Sequence, residues 1–90
     1  MTILTEDYLE YLLDKDEHTA SVSCDKENKN RCREAIIKDK IELNGETYIV
    51  EHIDIMGFSN CENLKKVIIP GTVSQLTRGT FLDCKKLEYV

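Results

Sequence analysis

The sequence has no tryptophan, one proline and no long apolar run. Its longest uncharged apolar stretches, such as Val67-Ile68-Ile69, fall far below the roughly 18 residues that cross a bilayer, so we expect no membrane insertion. A Gly-rich phosphate loop, a Gly-x-Ser-x-Gly motif and paired histidines are also missing, and we therefore expect no catalysis and no cofactor. With 90 residues, 41% hydrophobic and 32% charged, the chain is predicted to form one soluble globular domain with a thin core.

The sequence also has no excess of basic residues, since its net charge is −5. The first twenty residues hold six acids against one lysine, and the remaining seventy are balanced at eleven of each sign. This distribution argues against direct nucleic-acid binding, which requires neutralisation of phosphates. The acidic end is either an ordinary solvated surface or a surface that competes for a basic partner through Glu6, Asp7 and Glu10.

The four cysteines form no C-x-x-C motif, and the two histidines are distant from them in sequence. Structural zinc sites usually take two ligands from one tight turn, so we expect no metal site. The cysteines are Cys24, Cys32, Cys61 and Cys84. The spacing between the last two recurs between other apolar residues of the C-terminal half.

Shifting the C-terminal half against itself by the distance from Cys61 to Cys84 superimposes its apolar positions. The superimposed pairs are Val50 and Val73, Ile53 and Leu76, Phe58 and Phe81, Cys61 and Cys84, Leu64 and Leu87, and Val67 and Val90. The residues between these anchors vary freely. The resulting period, about 23 residues, is typical of leucine-rich repeats, in which each coil covers the interior of its neighbour.

Residues 57–73 and 80–90 resemble the BspA-type leucine-rich repeat, in which an aromatic residue, Cys, Leu and Val recur at three-residue intervals before a strand ending in Ile-Pro. The resemblance implies a mainly β fold, a short right-handed solenoid of about two coils preceded by N-terminal hairpins, with few or no α-helices. It also implies that Cys61 and Cys84 stack one coil apart. That spacing is compatible with a disulfide, but we expect reduced, packed thiols.

The segment 36–50 resembles the lead-in that such proteins carry before the first coil, although Lys38 replaces the usual proline. Asn44-Gly45 predicts a two-residue hairpin turn, because both residues tolerate positive φ. An earlier hairpin is predicted from Tyr8–Asp14 and His18–Cys24. Residues 5–14 also fit an amphipathic helix, and the resemblance favours strand. We expect a single domain, with a hairpin and capping region over 1–46 and repeat coils over 47–90.

The resemblance implies a protein-interaction module like the adhesive surface proteins of host-associated microbes. Lys66, Ile68 and Tyr89 are the predicted contact residues on the exposed sheet face, and the open C-terminal coil could pair with a second copy. No secretory signal precedes the chain as written, which predicts a cytoplasmic location, or the cell surface if the chain belongs to a longer protein. The alternative is a small acidic intracellular inhibitor that docks on a basic groove.

Overall fold

The computed structural model describes residues 2–54, 57–73, 80–81 and 84–87. These residues form seven strands and one short 3₁₀ turn, Lys26–Asn28, and contain no α-helix. The strands are β1 Thr2–Glu6, β2 Leu9–Asp14, β3 Thr19–Cys24, β4 Glu34–Ile36, β5 Lys40–Leu43, β6 Glu46–Ile53 and β7 Lys66–Ile68. The prediction of a mainly β fold is confirmed. The right-handed course of the solenoid and the domain division remain predictions.

The first three strands form an antiparallel meander, β1-β2-β3. Its residues alternate between the two faces, with Leu9, Tyr11 and Leu13 of β2 buried. This alternation at a period of two suits a half-buried strand and not a helix, so the strand interpretation of residues 5–14 holds outside the turn. The predicted hairpin of β2 and β3 is present, whereas the pairing of β1 with β2 was not predicted. Its connecting turn uses Asp7 and Tyr8, both at positive φ.

A second hairpin, β5-β6, turns at Asn44 and Gly45, whose φ angles are +52° and +79°. This is the hairpin that the Asn-Gly pair predicts. Strand β6 then pairs in parallel with β3, which gives the five-stranded order β1-β2-β3-β6-β5. The sequence does not reveal this parallel pairing, because no local signal joins two strands that have β4 and β5 between them.

Beyond the sheet, three chain segments form the same kind of turn and lie against one another. In each, a backbone N–H donates to the carbonyl three residues earlier, twice in succession. The residues linked in this way are Asp25, Asn28 and Arg31 in the first, Phe58, Cys61 and Leu64 in the second, and Phe81, Cys84 and Leu87 in the third. Neighbouring segments are joined by Cys24 N–H to the Gly57 carbonyl and Phe58 N–H to the Thr80 carbonyl, each 2.9 Å. The first interval between turns is longer than the second, because the β5-β6 hairpin lies within it. Among the described residues, the stack therefore contains one more turn than the sequence predicts.

The core runs continuously from the meander into the turns. Its buried members are Leu9, Tyr11, Leu13, Ala20, Val22, Cys24, Cys32, Ala35, Ile37, Ile41, Tyr48, Val50, Ile53, Phe58, Cys61, Leu64 and Val67. Because apolar burial is the dominant favourable contribution to folding, the hairpins and turns stabilise each other. Strands β4 and β7 pair in parallel as a separate two-stranded sheet, which contributes Ala35 and Val67 to this core and leaves its other residues exposed.

Candidate protein-binding surface

The outer face of the β4-β7 sheet carries two exposed isoleucines side by side. Ala35 and Val67 face the core, so the residues on either side of them point outward. Ile36 lies opposite Ile68 in the parallel register, and their exposed fractions are 59% and 43%. Two large aliphatic side chains together on an exposed face cost solvation free energy, and such groups commonly mark contact sites when they are contiguous.

Tyr8 extends this apolar surface from the β1-β2 turn. Its side chain is 44% exposed, and it lines a cavity of about 280 Å³ together with Asp7, Glu34 and Ile36. Tyr8 has a φ of +66°, in the left-handed region that side chains other than glycine, asparagine and aspartate rarely occupy. We refer to Tyr8, Ile36 and Ile68 as the apolar patch.

The charges around the apolar patch are mixed, and the predicted acidic residues are not equivalent. Glu6 forms an ion pair with Lys38, and hydrogen bonding to Glu6 raises the pKa of Lys38. Asp7 is exposed beside Tyr8, whereas Glu10 is half-buried on β2. Asp7 and Glu34 therefore flank the cavity with negative charge, and Glu6 is already engaged by a lysine of its own chain.

The predicted contact residues Lys66 and Ile68 both lie exposed on β7, with Glu34 opposite Lys66. Tyr89 lies outside the described residues. Sequence reasoning missed Tyr8 and Ile36. If Ala35 is buried in a strand, the alternation of side chains places Ile36 on the outer face. The sequence, however, does not identify residues 34–36 as a strand that pairs with β7.

The predicted repeat anchors divide into three groups. Those facing the core, each at most 6% exposed, are Val50, Ile53, Phe58, Cys61, Leu64 and Val67. Those partly buried and packed against the core are Val73, Phe81, Cys84 and Leu87. Leu76 and Val90 lie outside the described residues.

Cys24 ends β3, Cys32 follows the first turn, and Cys61 and Cys84 lie in the second and third turns. Hydrogen bonding with Cys32 and Cys61, together with burial, raises the pKa of Cys24 far above its ordinary value. The Sγ of Cys84 lies 2.8 Å from the carbonyl oxygen of Phe58, to which it donates. None of the four forms a disulfide, and the reduced state of Cys61 and Cys84 in solution remains a prediction.

Two kinds of feature are absent from the part of the chain that the structure describes. No three His, Cys, Asp or Glu side chains there are grouped so as to hold a metal ion. The same residues include no helix with the length and apolar character needed to cross a membrane.

The chain is similar in structure to a leucine-rich cell surface protein from Faecalibacterium prausnitzii. The similarity covers all of this chain and 30% of that protein, with a TM-score of 0.62 and 19% sequence identity. No protein-family model and no curated protein sequence matches the chain significantly. The leucine-rich-repeat resemblance is thus confirmed at the level of the fold, and the chain spans less than a third of the length of its structural neighbour.

Proposed function

We propose that this chain is a non-catalytic protein-interaction module whose binding surface is the apolar patch. The observation that carries the proposal is the contiguity of Ile36 with Ile68 in register, and of Ile36 with Tyr8 around one cavity. Interface anchors are typically apolar or aromatic side chains on a rigid support with polar groups around them. Strands β4 and β7 supply the support, and Asp7, Glu34 and Lys66 would supply the polar rim.

The partner is expected to present an apolar side chain flanked by a basic group. The apolar group would lie on Ile36 and Ile68, and the basic group would meet Asp7 and Glu34 beside the cavity. The structural neighbour is a cell surface protein, which supports an adhesin-like role at the cell surface for this chain.

A selection of random peptides on the immobilised chain tests this proposal. The selected peptides are expected to carry an aliphatic or aromatic residue next to Lys or Arg. Ile36→Ser and Ile68→Ser should each weaken the best peptide at least about tenfold, because losing an anchor commonly costs about 1.4 kcal/mol or more.

Ile3→Ser is the matched control. Ile3 is 56% exposed, close to the value for Ile36, but it lies on β1 and does not line the cavity. It should leave peptide affinity within about twofold. Equal affinity for Ile36→Ser and the unmodified chain, or a loss confined to Ile3→Ser, would overturn the proposal.

The alternative hypothesis of an acidic inhibitor that docks through Glu6, Asp7 and Glu10 makes a different prediction. Binding of exposed charges weakens steeply between low and moderate salt, whereas apolar docking changes little. A strongly salt-dependent affinity that Ile68→Ser leaves intact would favour the inhibitor.

A further inference from the structure

A small basic cleft lies on the turn side of the molecule. Its lining residues are Arg33, Asn63, Lys65 and Lys86, and its volume is about 150 Å³. That volume is well above the roughly 10–15 Å³ that one water molecule requires, so the cleft has room for a small polyatomic ion. Among the described residues no carboxylate lines it, and none of its lining residues belongs to the cavity beside the apolar patch.

The stacking of successive turns brings these residues together from separate parts of the sequence. The backbone N–H of Lys65 donates to the carbonyl of Arg33 at 2.8 Å, which holds these two residues side by side just before strands β7 and β4. Asn63 links its own turn to the two neighbouring ones. Its Nδ2 donates to the Asn30 carbonyl at 2.7 Å, and its Oδ1 accepts from Lys86 Nζ at 3.2 Å. The cleft is therefore positioned by the backbone and by a side-chain amide that bonds in both directions.

The three cations of the cleft lack an acidic partner among the described residues. Among the described residues, ion pairs join Lys38 to Glu6 and, when the imidazole is protonated, His18 to Glu46, and neither pair includes a residue of the cleft. Lys86 instead donates to a neutral amide, which leaves its positive charge uncompensated. Arg33, Lys65 and Lys86 line the same cleft, and a bound anion would compensate their positive charges.

We infer that the cleft binds a single tetrahedral oxyanion, a phosphate or sulfate group. The Arg33 guanidinium offers a fork of N–H donors that matches two oxygens, and the Lys65 and Lys86 ammonium groups act as point charges with free donor capacity. The group is either a free ion or an ester on a glycan, since the chemistry of recognition is the same. A nucleic-acid backbone fits poorly, because the chain as a whole carries a net charge of −5.

Titration of ¹⁵N-labelled protein with sodium sulfate and sodium phosphate, at constant ionic strength maintained with chloride, tests the inference. The side-chain amide signals of Asn63 and the Nε–Hε signal of Arg33 should shift saturably with either oxyanion. A sulfated oligosaccharide that binds at least about tenfold more tightly than sulfate identifies the ester as the ligand, and equal affinity identifies the free ion.

The variants Lys65→Gln and Lys86→Gln should each weaken oxyanion binding about fivefold or more. Lys40→Gln is the matched control, since Lys40 is an exposed lysine on β5 outside the cleft, and it should change affinity less than twofold. Thermal unfolding of each variant verifies that it is folded. Equal shifts in chloride alone, unchanged affinity in both cleft variants, or tighter binding of a DNA duplex than of the oligosaccharide would overturn the inference.

Discussion

Phe58 and Phe81, the equivalent residues of successive turns, stack with their ring centroids 5.6 Å apart and their planes 27° from parallel. The Phe58 N–H also donates to the carbonyl of Thr80, immediately before Phe81. Residues that are one sequence period apart thus contact each other directly in successive turns. Stacked aromatic pairs contribute beyond the area they bury, so this pair is a principal contact between the last two described turns.

Phe58→Ala is expected to lower the free energy of unfolding by about 3–5 kcal/mol, since Phe58 is fully buried and its removal leaves a cavity. Phe81→Ala should cost less, because Phe81 is only partly buried. Urea denaturation followed by circular dichroism measures both. Equal losses of unfolding free energy for the two variants would contradict the greater burial of Phe58.

Gly57 and Gly71 form a matched pair for testing close packing. A Cβ atom at Gly57 would lie 2.9 Å from the Asp54 carbonyl oxygen and 3.2 Å from Ser23 Cβ, whereas one at Gly71 would meet nothing within 4 Å. Gly57→Ala should therefore destabilise the protein by about 1–3 kcal/mol, the usual cost of overpacking. Gly71→Ala should be neutral or slightly stabilising in the same urea titration. The reverse order of the two effects would contradict the described packing.

Tyr8 is expected to lower stability and to support binding. Left-handed backbone costs an ordinary residue about 1–2 kcal/mol, and glycine avoids most of that cost. Tyr8→Gly should raise the unfolding free energy by roughly 0.5–1 kcal/mol, because the greater entropy of glycine in the unfolded chain offsets part of the gain. It should also weaken the selected peptides. A variant that is less stable and binds as before would separate Tyr8 from the apolar patch.

Stability should fall as the pH rises above about 10, the ordinary range of tyrosine. Burial raises the pKa of Tyr11, opposed in part by the hydrogen bond from the Lys38 backbone N–H. Above about pH 10 the unfolded chain loses the phenolic proton while the folded chain retains it, so the unfolded state is favoured. Tyr11→Phe should flatten this decline in part, because burial also raises the pKa of Tyr48. An unchanged decline in Tyr11→Phe, relative to the exposed control Tyr8→Phe, would contradict the assignment.

The features that the sequence predicts depend on local signals. Asn44-Gly45 specifies its hairpin, and the alternation of Ala20, Val22 and Cys24 specifies the inward face of β3. The same reasoning missed the first turn of the stack. There Asp25 and Asn28 occupy the places that Phe58 and Cys61 take in the next turn.

That first turn is closed by polar bonds and not by apolar anchors. Asp25 accepts from the Glu27 N–H and from Asn28 Nδ2, which replaces the packing of an aromatic ring. The inserted β5-β6 hairpin also makes the first interval longer than the second, so a search at one fixed period passes over it. Arg33 and Lys65 of the basic cleft are separated by this same insertion, and the sequence therefore shows no basic cluster there.

The parallel pairing of β3 with β6 sets an order of folding. The hairpins β1-β2, β2-β3 and β5-β6 close over a few residues, whereas β3 meets β6 and β4 meets β7 only after long intervening segments have been ordered. Because loop closure must precede such contacts, the hairpins should gain protection from hydrogen exchange first in refolding, and Ile37, whose N–H donates to the Ile68 carbonyl, later. Earlier protection at Ile37 would reverse this order. On the ribosome, the N-terminal meander would then be complete before the surface that carries Ile36 and Ile68 exists.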